Sequence, residues 1–129
     1  MLKVDIVSPL GQFVAGKDIS VLTVPSVKGE IAILPGHTDM LCLLGKGLLK
    51  LDDQKSFIVY KGIMQVSDGD QVIIAAEKIK KVSELEINEL MDSLKDIESK
   101  LMNDPMNEDE MNQAREDYED VLAELSAFT

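Results

Sequence analysis

Residues 71–101 read QVIIAAEKIKKVSELEINELMDSLKDIESKL, and the spacing of their apolar residues changes part-way along. The run up to residue 76 is typical of a β-strand, whereas from Ile87 onward the apolar residues recur every three or four positions. That spacing places them on one face of an amphipathic helix. The chain therefore divides into a strand-rich unit, residues 1–82, and a helical unit, residues 83–129.

Before this change, short runs rich in Val, Ile and Leu alternate with turn residues such as Pro35-Gly36 and Asp68-Gly69. So many short strands in roughly 80 residues predict a β-sandwich or flattened barrel. The predicted strands are residues 2–7, 19–25, 30–34, 40–44, 47–51, 56–60, 62–66 and 71–76.

The first helix is predicted to begin at Ser83, whose hydroxyl could accept from the backbone of Glu86 while the Glu86 carboxylate reaches back, as in a capping box. It is predicted to end at Asn103-Asp104, because Pro105 disfavours helical geometry in the preceding residue. Its apolar face comprises Ile87, Leu90, Met91, Leu94, Ile97 and Leu101.

A second helix is predicted after Asn107, a suitable N-cap followed by three acidic residues. Because only a few residues join the two helices, we expect them to pack antiparallel as a hairpin. Met91 and Met111 fall on the predicted seam and are expected in the core. The second apolar face comprises Met111, Ala114, Tyr118, Val121, Leu122, Leu125 and Phe128. The fold class is therefore α+β, a sandwich followed by an antiparallel two-helix hairpin.

The charge is distributed unevenly between the two units. Residues 1–81 contain ten Lys and nine acidic residues, a net charge of +1, whereas residues 82–129 contain three basic and fifteen acidic residues, a net charge of −12. Nucleic-acid binding requires clustered Lys and Arg, so an acidic chain argues against it. Protein partners are the better expectation.

Catalytic signatures are missing from the sequence. The sole histidine, His37, follows Pro-Gly without a marked nucleophile, and the sole cysteine, Cys42, lies among apolar residues. Neither Gly-rich phosphate motif is present, and one His with one Cys is too few for a typical zinc site. We therefore expect no enzyme activity, no cofactor and no metal, and we interpret Cys42 as a small buried hydrophobe in a reducing compartment. The longest apolar runs, five residues each, are far below the roughly 20 needed to span a bilayer.

Two motifs carry a family resemblance. One is Gly29-Glu30-Ile31-Ala32-Ile33-Leu34-Pro35-Gly36-His37-Thr38-Asp39-Met40-Leu41, and the other is Val7-Ser8-Pro9-Leu10-Gly11. Together with the order of sandwich and helices, they resemble the epsilon subunit of F-type ATP synthases over essentially the whole chain. Ala32 departs from the glycine usual in that family, and the segment 61–66 matches a second family motif only in part.

The resemblance implies a non-catalytic rotor subunit of the central stalk. Such a subunit links the gamma subunit to the membrane rotor ring and couples ion translocation to ATP synthesis. The implied contacts with ring and gamma are Glu30, Pro35, Gly36, His37 and Leu41. A plain turn at Pro35-Gly36 with a surface histidine is compatible with this reading and stays open beside it. The implied location is peripheral, on the cytoplasmic side of a bacterial inner membrane, since no targeting segment is visible.

The hairpin departs from the family pattern in two ways. Where some bacterial relatives bind ATP through an arginine near the start of the first helix, this chain has Glu89, so ATP binding is not carried over. Residues 104–129 contain Arg115 as their sole base, which argues against inhibition through an acidic segment of the alpha/beta head, although a contact with that head stays open. The competing hypothesis is a stand-alone β-sandwich protein-binding module whose acidic hairpin docks a basic partner.

Overall fold

A computed structural model describes residues 1–128 and contains eight strands followed by two helices. The predicted α+β class, with a sandwich preceding a hairpin, is confirmed. Within residues 1–128, no helix has both the length and the apolar content needed to cross a bilayer. The strands are β1 (Leu2–Ser8), β2 (Gly11–Ile19), β3 (Leu22–Ser26), β4 (Gly29–Ile33), β5 (Met40–Leu44), β6 (Gly47–Leu51), β7 (Gln54–Ser67) and β8 (Gln71–Lys81), and the helices are α1 (Ile87–Asn103) and α2 (Glu108–Leu125).

The strands pair in the order β2-β1-β8-β7-β5-β3-β4, and β6 bridges β3 and β7. The long strand β7 pairs with β6 through its first half and with β5 through its second half. Its register shifts beside Lys61, where the strand bends from one layer toward the other. This bend closes the sandwich around one core. Fully buried members of that core are Leu2, Val4, Ile6, Ile19, Leu22, Val24, Ile33, Leu49, Val59, Met64, Val72 and Ile74.

Four of the predicted strands need correction. Strand β2 was not predicted, and the predicted strand 19–25 covers the end of β2 and most of β3. Strand β2 is an edge strand with mostly exposed side chains, so its sequence lacks a clear apolar alternation. The predicted strands 56–60 and 62–66 are one bulged strand, β7, because the chain bends there without turning back. Strand β8 continues to Lys81, beyond the predicted end.

The predicted helix starts differ in their outcome. The capping box at Ser83 is wrong, because Ser83 lies in a 3-10 turn, Val82–Glu84, and α1 begins after Glu86 without a side-chain cap. The prediction at Asn107 is confirmed: its Oδ1 accepts from the backbone N–H of Glu110 at 2.8 Å. The predicted end of α1 at Asn103 is also confirmed, and a second 3-10 turn, Ser126–Phe128, follows α2.

Candidate functional site

The Pro35-Gly36-His37 segment forms a loop at one end of the sandwich, against the turn between β7 and β8. Gly36 N–H donates to the Gly69 carbonyl at 2.7 Å, and His37 N–H reaches the carbonyls of Leu34 and Gly69 at 3.2 Å each. Gly36 has a φ of 84°, a left-handed conformation that favours glycine. His37 Nδ1 lies 2.7 Å from the Thr38 carbonyl, and since a carbonyl can only accept, Nδ1 carries the proton. The loop is therefore fixed in shape.

Glu30 lies apart from this loop, at the opposite end of β4. It pairs with Pro25 beside the turn that joins β3 to β4, where Ser26 Oγ donates to the Gly29 carbonyl at 2.5 Å. Its exposed side chain borders a cleft of about 360 Å³ that also includes Lys46 and Ser126. The five residues proposed as one contact site thus fall into two areas, with Glu30 in one and the Pro-Gly-His loop in the other.

Leu41 belongs to the same area as the Pro-Gly-His loop. It lies on an exposed apolar face of the sheet, which we call the outer sandwich face. Leu41 is 72% exposed. The next row of side chains across the sheet is also apolar, and its members lie directly opposite one another on the four strands β5, β7, β8 and β1. Beside this row lies an apolar groove of about 680 Å³. The outer sandwich face comprises Val7, Leu41, Leu43, Ile63, Ile73 and Ala75. An exposed apolar patch of this kind is typical of a protein–protein contact.

A second contact region, the hairpin junction, fixes α2 on the sandwich. The Tyr60 hydroxyl donates to Glu124 Oε1 at 2.5 Å, and Lys80 Nζ lies 3.5 Å from the same oxygen. Lys78 Nζ stands 4.4 Å from the centre of the Tyr60 ring. Burial, reinforced by the hydrogen bond to Glu124, raises the pKa of Tyr60 well above the ordinary tyrosine range. The phenol therefore stays protonated and serves as a buried donor.

Asp120 extends the junction by one helical turn. Its Oδ1 lies 2.8 Å from Lys46 Nζ, an ion pair whose angles do not make a hydrogen bond, and its Oδ2 lies 3.3 Å from Lys78 Nζ. Burial lowers the pKa of Lys46, but pairing with Asp120 and Glu119 outweighs it, so the net shift is upward. Beside these polar pairs lies a small apolar cluster, in which Ala127 is buried with Ile58 and Tyr60 and Ala123 packs against them. Polar pairs and this cluster together define where α2 docks.

Among residues 1–128, no three His, Cys, Asp or Glu side chains are grouped so that they could hold a metal ion. Cys42 is half-buried against the core rather than fully buried. Glu89 is exposed in the first turn of α1. The arrangement is suited to binding other proteins.

Sequence reasoning did not identify the outer sandwich face or the hairpin junction. The sequence did contain a signal for the outer sandwich face. The runs 62–66 and 72–76 carry apolar residues at both odd and even positions, a pattern that indicates a strand covered on both faces. Tyr60, Asp120 and Glu124 gave no such signal, since lone polar residues do not reveal partners that lie 42 or more positions away in the chain.

The sandwich, residues 1–82, matches the family model described as ATP synthase, Delta/Epsilon chain, beta-sandwich domain. This chain belongs to the ATP synthase delta/epsilon family. It is 28% identical to the ATP synthase epsilon chain of Bdellovibrio bacteriovorus over 98% of this chain and 93% of that relative. It is 36% identical to the epsilon chain of Aquifex aeolicus over 66% of this chain and 64% of that relative.

Two solved structures share the fold of this family member. One belongs to the mitochondrial ATP synthase of Euglena gracilis, resolved as OSCP/F1/c-ring, with a TM-score of 0.87 at 17% identity, covering 99% of this chain and 81% of that chain. The other belongs to the central stalk/c-ring of the Tetrahymena thermophila mitochondrial ATP synthase, with a TM-score of 0.69 at 17% identity, covering 99% and 96%. Both similarities extend through sandwich and hairpin together.

Proposed function

We propose that this chain is a non-catalytic rotor subunit in the central stalk of an F-type ATP synthase, where it joins the gamma subunit to the membrane rotor ring. Rotation of ring, gamma and this chain together would couple ion translocation to ATP synthesis. The observation that carries the proposal is the in-register apolar row on a sandwich of the delta/epsilon family. The similar chains in central stalk/c-ring assemblies support it.

The outer sandwich face is the proposed contact with gamma. A stalk that transmits torque needs a lasting contact, and lasting contacts between subunits are more apolar than transient ones. Pro35, Gly36 and His37 lie at the Leu41 end of this face, so we assign their fixed loop to the same contact. The hydrogen bonds between Gly36, His37 and Gly69 reduce the ordering that binding would otherwise cost.

The turn that carries Glu30 is the proposed contact with the ring. Only the polar parts of a membrane ring that protrude from the bilayer can reach a subunit without membrane-spanning helices. The turn presents the exposed charged residues Lys28 and Glu30, next to Val27, which is 61% exposed. We therefore propose a peripheral location on the cytoplasmic side of a bacterial inner membrane, in keeping with the bacterial relatives.

The hairpin is the proposed regulatory or structural part, residues 83–129. Its junction with the sandwich would separate if another surface replaced the pairs made by Asp120 and Glu124 and the apolar contacts of Ala127. Regulation through a basic second helix is not supported, because Arg115 is its sole base. We therefore expect synthase complexes truncated after Val82 to hydrolyse ATP at nearly the rate of complete complexes. A large rise in hydrolysis would restore an inhibitory role.

Co-purification from gently solubilised native membranes tests the rotor assignment. A tagged wild-type chain should recover gamma, the catalytic head and the ring subunit, as identified by mass. The Ile63→Lys variant places a charge in the apolar row and should lose gamma. Leu10→Lys is the matched control, because Leu10 is 89% exposed in a turn outside the row. Recovery of an unrelated partner in place of the synthase subunits would favour a stand-alone binding module. Equal recovery of gamma with both variants would mean that gamma is bound by another surface of the chain.

A further inference from the structure

The apolar groove beside the outer sandwich face also reaches the hairpin. It has a volume of about 680 Å³, and three residues of the outer sandwich face, Leu43, Ile63 and Ala75, form part of its wall. Its wall also includes Tyr60 of the hairpin junction and Glu119, which lies on α2. The groove is therefore continuous both with the proposed gamma contact and with the docked helix.

The sandwich side of this groove is an apolar wall that spans three strands. Leu43 on β5 lies directly opposite Ile63 on β7, and Ile63 lies directly opposite Ala75 on β8. Leu43 is 57% exposed and Ile63 is 44% exposed, so a partner that covered them would remove apolar surface from water. Apolar side chains that fill pockets of this kind are common anchors at the centre of protein–protein contacts.

The charged residues at the groove indicate the polar part of the partner. Lys46 Nζ lies 2.8 Å from Asp120 Oδ1 and 3.4 Å from Glu119 Oε2, so Asp120 is its nearer partner. The Asp120 side chain is only 14% exposed, whereas that of Glu119 is 58% exposed. A Lys or Arg of a bound partner could therefore reach the Glu119 carboxylate and donate a charge-assisted hydrogen bond to it. The groove thus fits an apolar anchor with a basic neighbour.

We propose that gamma, seated on the outer sandwich face, places an apolar side chain in this groove and a Lys or Arg beside Glu119, and thereby holds the hairpin in its docked position. The inference rests on the proposed contact with gamma. If the hairpin separates from the sandwich, Glu119 leaves with α2 and the groove loses that wall. Gamma therefore makes more contacts with the docked state, and a ligand that prefers one of two states shifts the equilibrium toward it.

Amide exchange in α2 of the full chain tests this coupling. The probe is the catalytic head with gamma, from which this chain has been removed, and exchange is followed before and after the chain is bound again. A short helix away from its packing surface is marginal, so separation of the hairpin exposes the α2 amides to exchange. Binding of gamma should therefore slow exchange in α2 at least about fivefold.

A pair of charge reversals on α2 makes the test specific. Glu119→Lys should leave gamma bound through the outer sandwich face but should lose the slowing of exchange. Glu116→Lys is the matched control, because it makes the same change of charge at an exposed position of the same helix, outside the groove lining. With Glu116→Lys, binding of gamma should slow exchange as it does in the wild type.

Several outcomes would overturn the inference. Unchanged exchange in α2 when gamma is bound would do so, and so would equal slowing with both variants, because the head would then cover α2 at another surface. Slowing that grows with chain concentration in the absence of the head would identify a second copy as the occupant.

Two further results have a defined reading. If Glu119→Lys speeds exchange in the free chain, the variant itself has released the hairpin, and Glu119→Gln replaces it with Glu116→Gln as the control. A wild-type chain that does not bind the head with gamma at all would contradict the proposed function instead. The proposed function and this inference can therefore fail separately.

Discussion

The sandwich and the hairpin are held in place by different interactions, although they share one chain. The sandwich encloses a continuous apolar core in which residues such as Ile6, Leu49 and Ile74 have no exposed surface. Helix α1 buries Leu90 alone, and α2 buries Val121 together with the charged Glu124. The sandwich therefore carries its own stability, whereas the hairpin relies on a narrow seam, on polar pairs with the sandwich and on a small apolar cluster around Ile58 and Ala127.

Because of this difference, the packing of the sandwich is permanent, whereas the contact between hairpin and sandwich is exchangeable. Buried apolar area cannot be exchanged without unfolding the domain, but ion pairs at a partly exposed junction contribute little net stability and are weakened by salt. A subunit built this way can keep one lasting contact through the sandwich while the hairpin responds to its surroundings.

The largest contrast is expected between two leucines. Leu49→Ala empties part of the sandwich core and should lower the free energy of unfolding by about 2 to 5 kcal/mol. Leu101→Ala removes a side chain that is 40% exposed on α1 and should cost under about 1 kcal/mol. Urea denaturation followed by circular dichroism measures both. Similar losses would mean that the hairpin is as much part of the core as the sandwich is.

The bend in β7 is the next most sensitive feature. A Cβ on Gly62 would lie 2.8 Å from the Ala75 carbonyl oxygen and 3.1 Å from Ala76 Cα, both backbone atoms that cannot move aside easily. Gly62→Ala should therefore cost about 2 to 3 kcal/mol in urea denaturation. Gly45→Ala is the control, because its Cβ would meet Val27 Cα at an ordinary 3.7 Å. A Gly62→Ala protein as stable as the control would show that the sheet yields at this bend.

The success of sequence reasoning follows the same division. Strands with strong apolar runs, such as β5 and β6, were predicted at their observed bounds. The edge strand β2 was missed, because a strand whose side chains are mostly solvated needs no apolar alternation. Fusion of the predicted strands 56–60 and 62–66 into β7 depends on how two layers join, which is a property of the whole sandwich rather than of either segment.

The candidate site was predictable in its motifs but not in its arrangement. The Pro35-Gly36-His37 loop could be found from turn chemistry, yet its separation from Glu30 follows from the direction of β4, which the sequence does not state. In the hairpin, periodicity identified the apolar faces but assumed that each was buried. Helical spacing cannot say whether a face meets its neighbour helix, the sandwich or solvent. For this reason the predicted burial of Met91 and Met111 is wrong.

Tyr60 offers a spectroscopic comparison between the junction and the hairpin surface. The chain has two tyrosines, so Tyr118→Phe leaves Tyr60 as the sole phenol. Because the folded protein raises the pKa of Tyr60, its contribution to docking is complete below about pH 10, where the unfolded phenol titrates, and is lost as the pH rises toward the folded value. Phenolate absorbance in Tyr118→Phe should therefore develop at higher pH in native protein than in urea.

A mutational counterpart checks the same contact. Tyr60→Phe removes the donor to Glu124 but leaves Lys80 beside it, so the docking of α2 should weaken by about 1 to 2 kcal/mol, seen as faster amide exchange in α2. Coincident titration of Tyr60 in native and denatured protein, or unchanged exchange, would mean that the hydroxyl is not held in the junction.

The smallest effect is expected at the start of α2, where two asparagines should act in opposite directions. Asn107 Oδ1 caps the helix through Glu110 N–H, so Asn107→Ala should cost about 1 kcal/mol. Asn112 is exposed within the helix, and Asn112→Ala should be neutral or stabilising by a few tenths of a kcal/mol, because alanine is the better helix former. Amide exchange in α2 should register both changes, while the urea midpoint of the sandwich stays constant because the cap touches none of its core. A shift of that midpoint with Asn107→Ala would show that the two regions unfold as one unit.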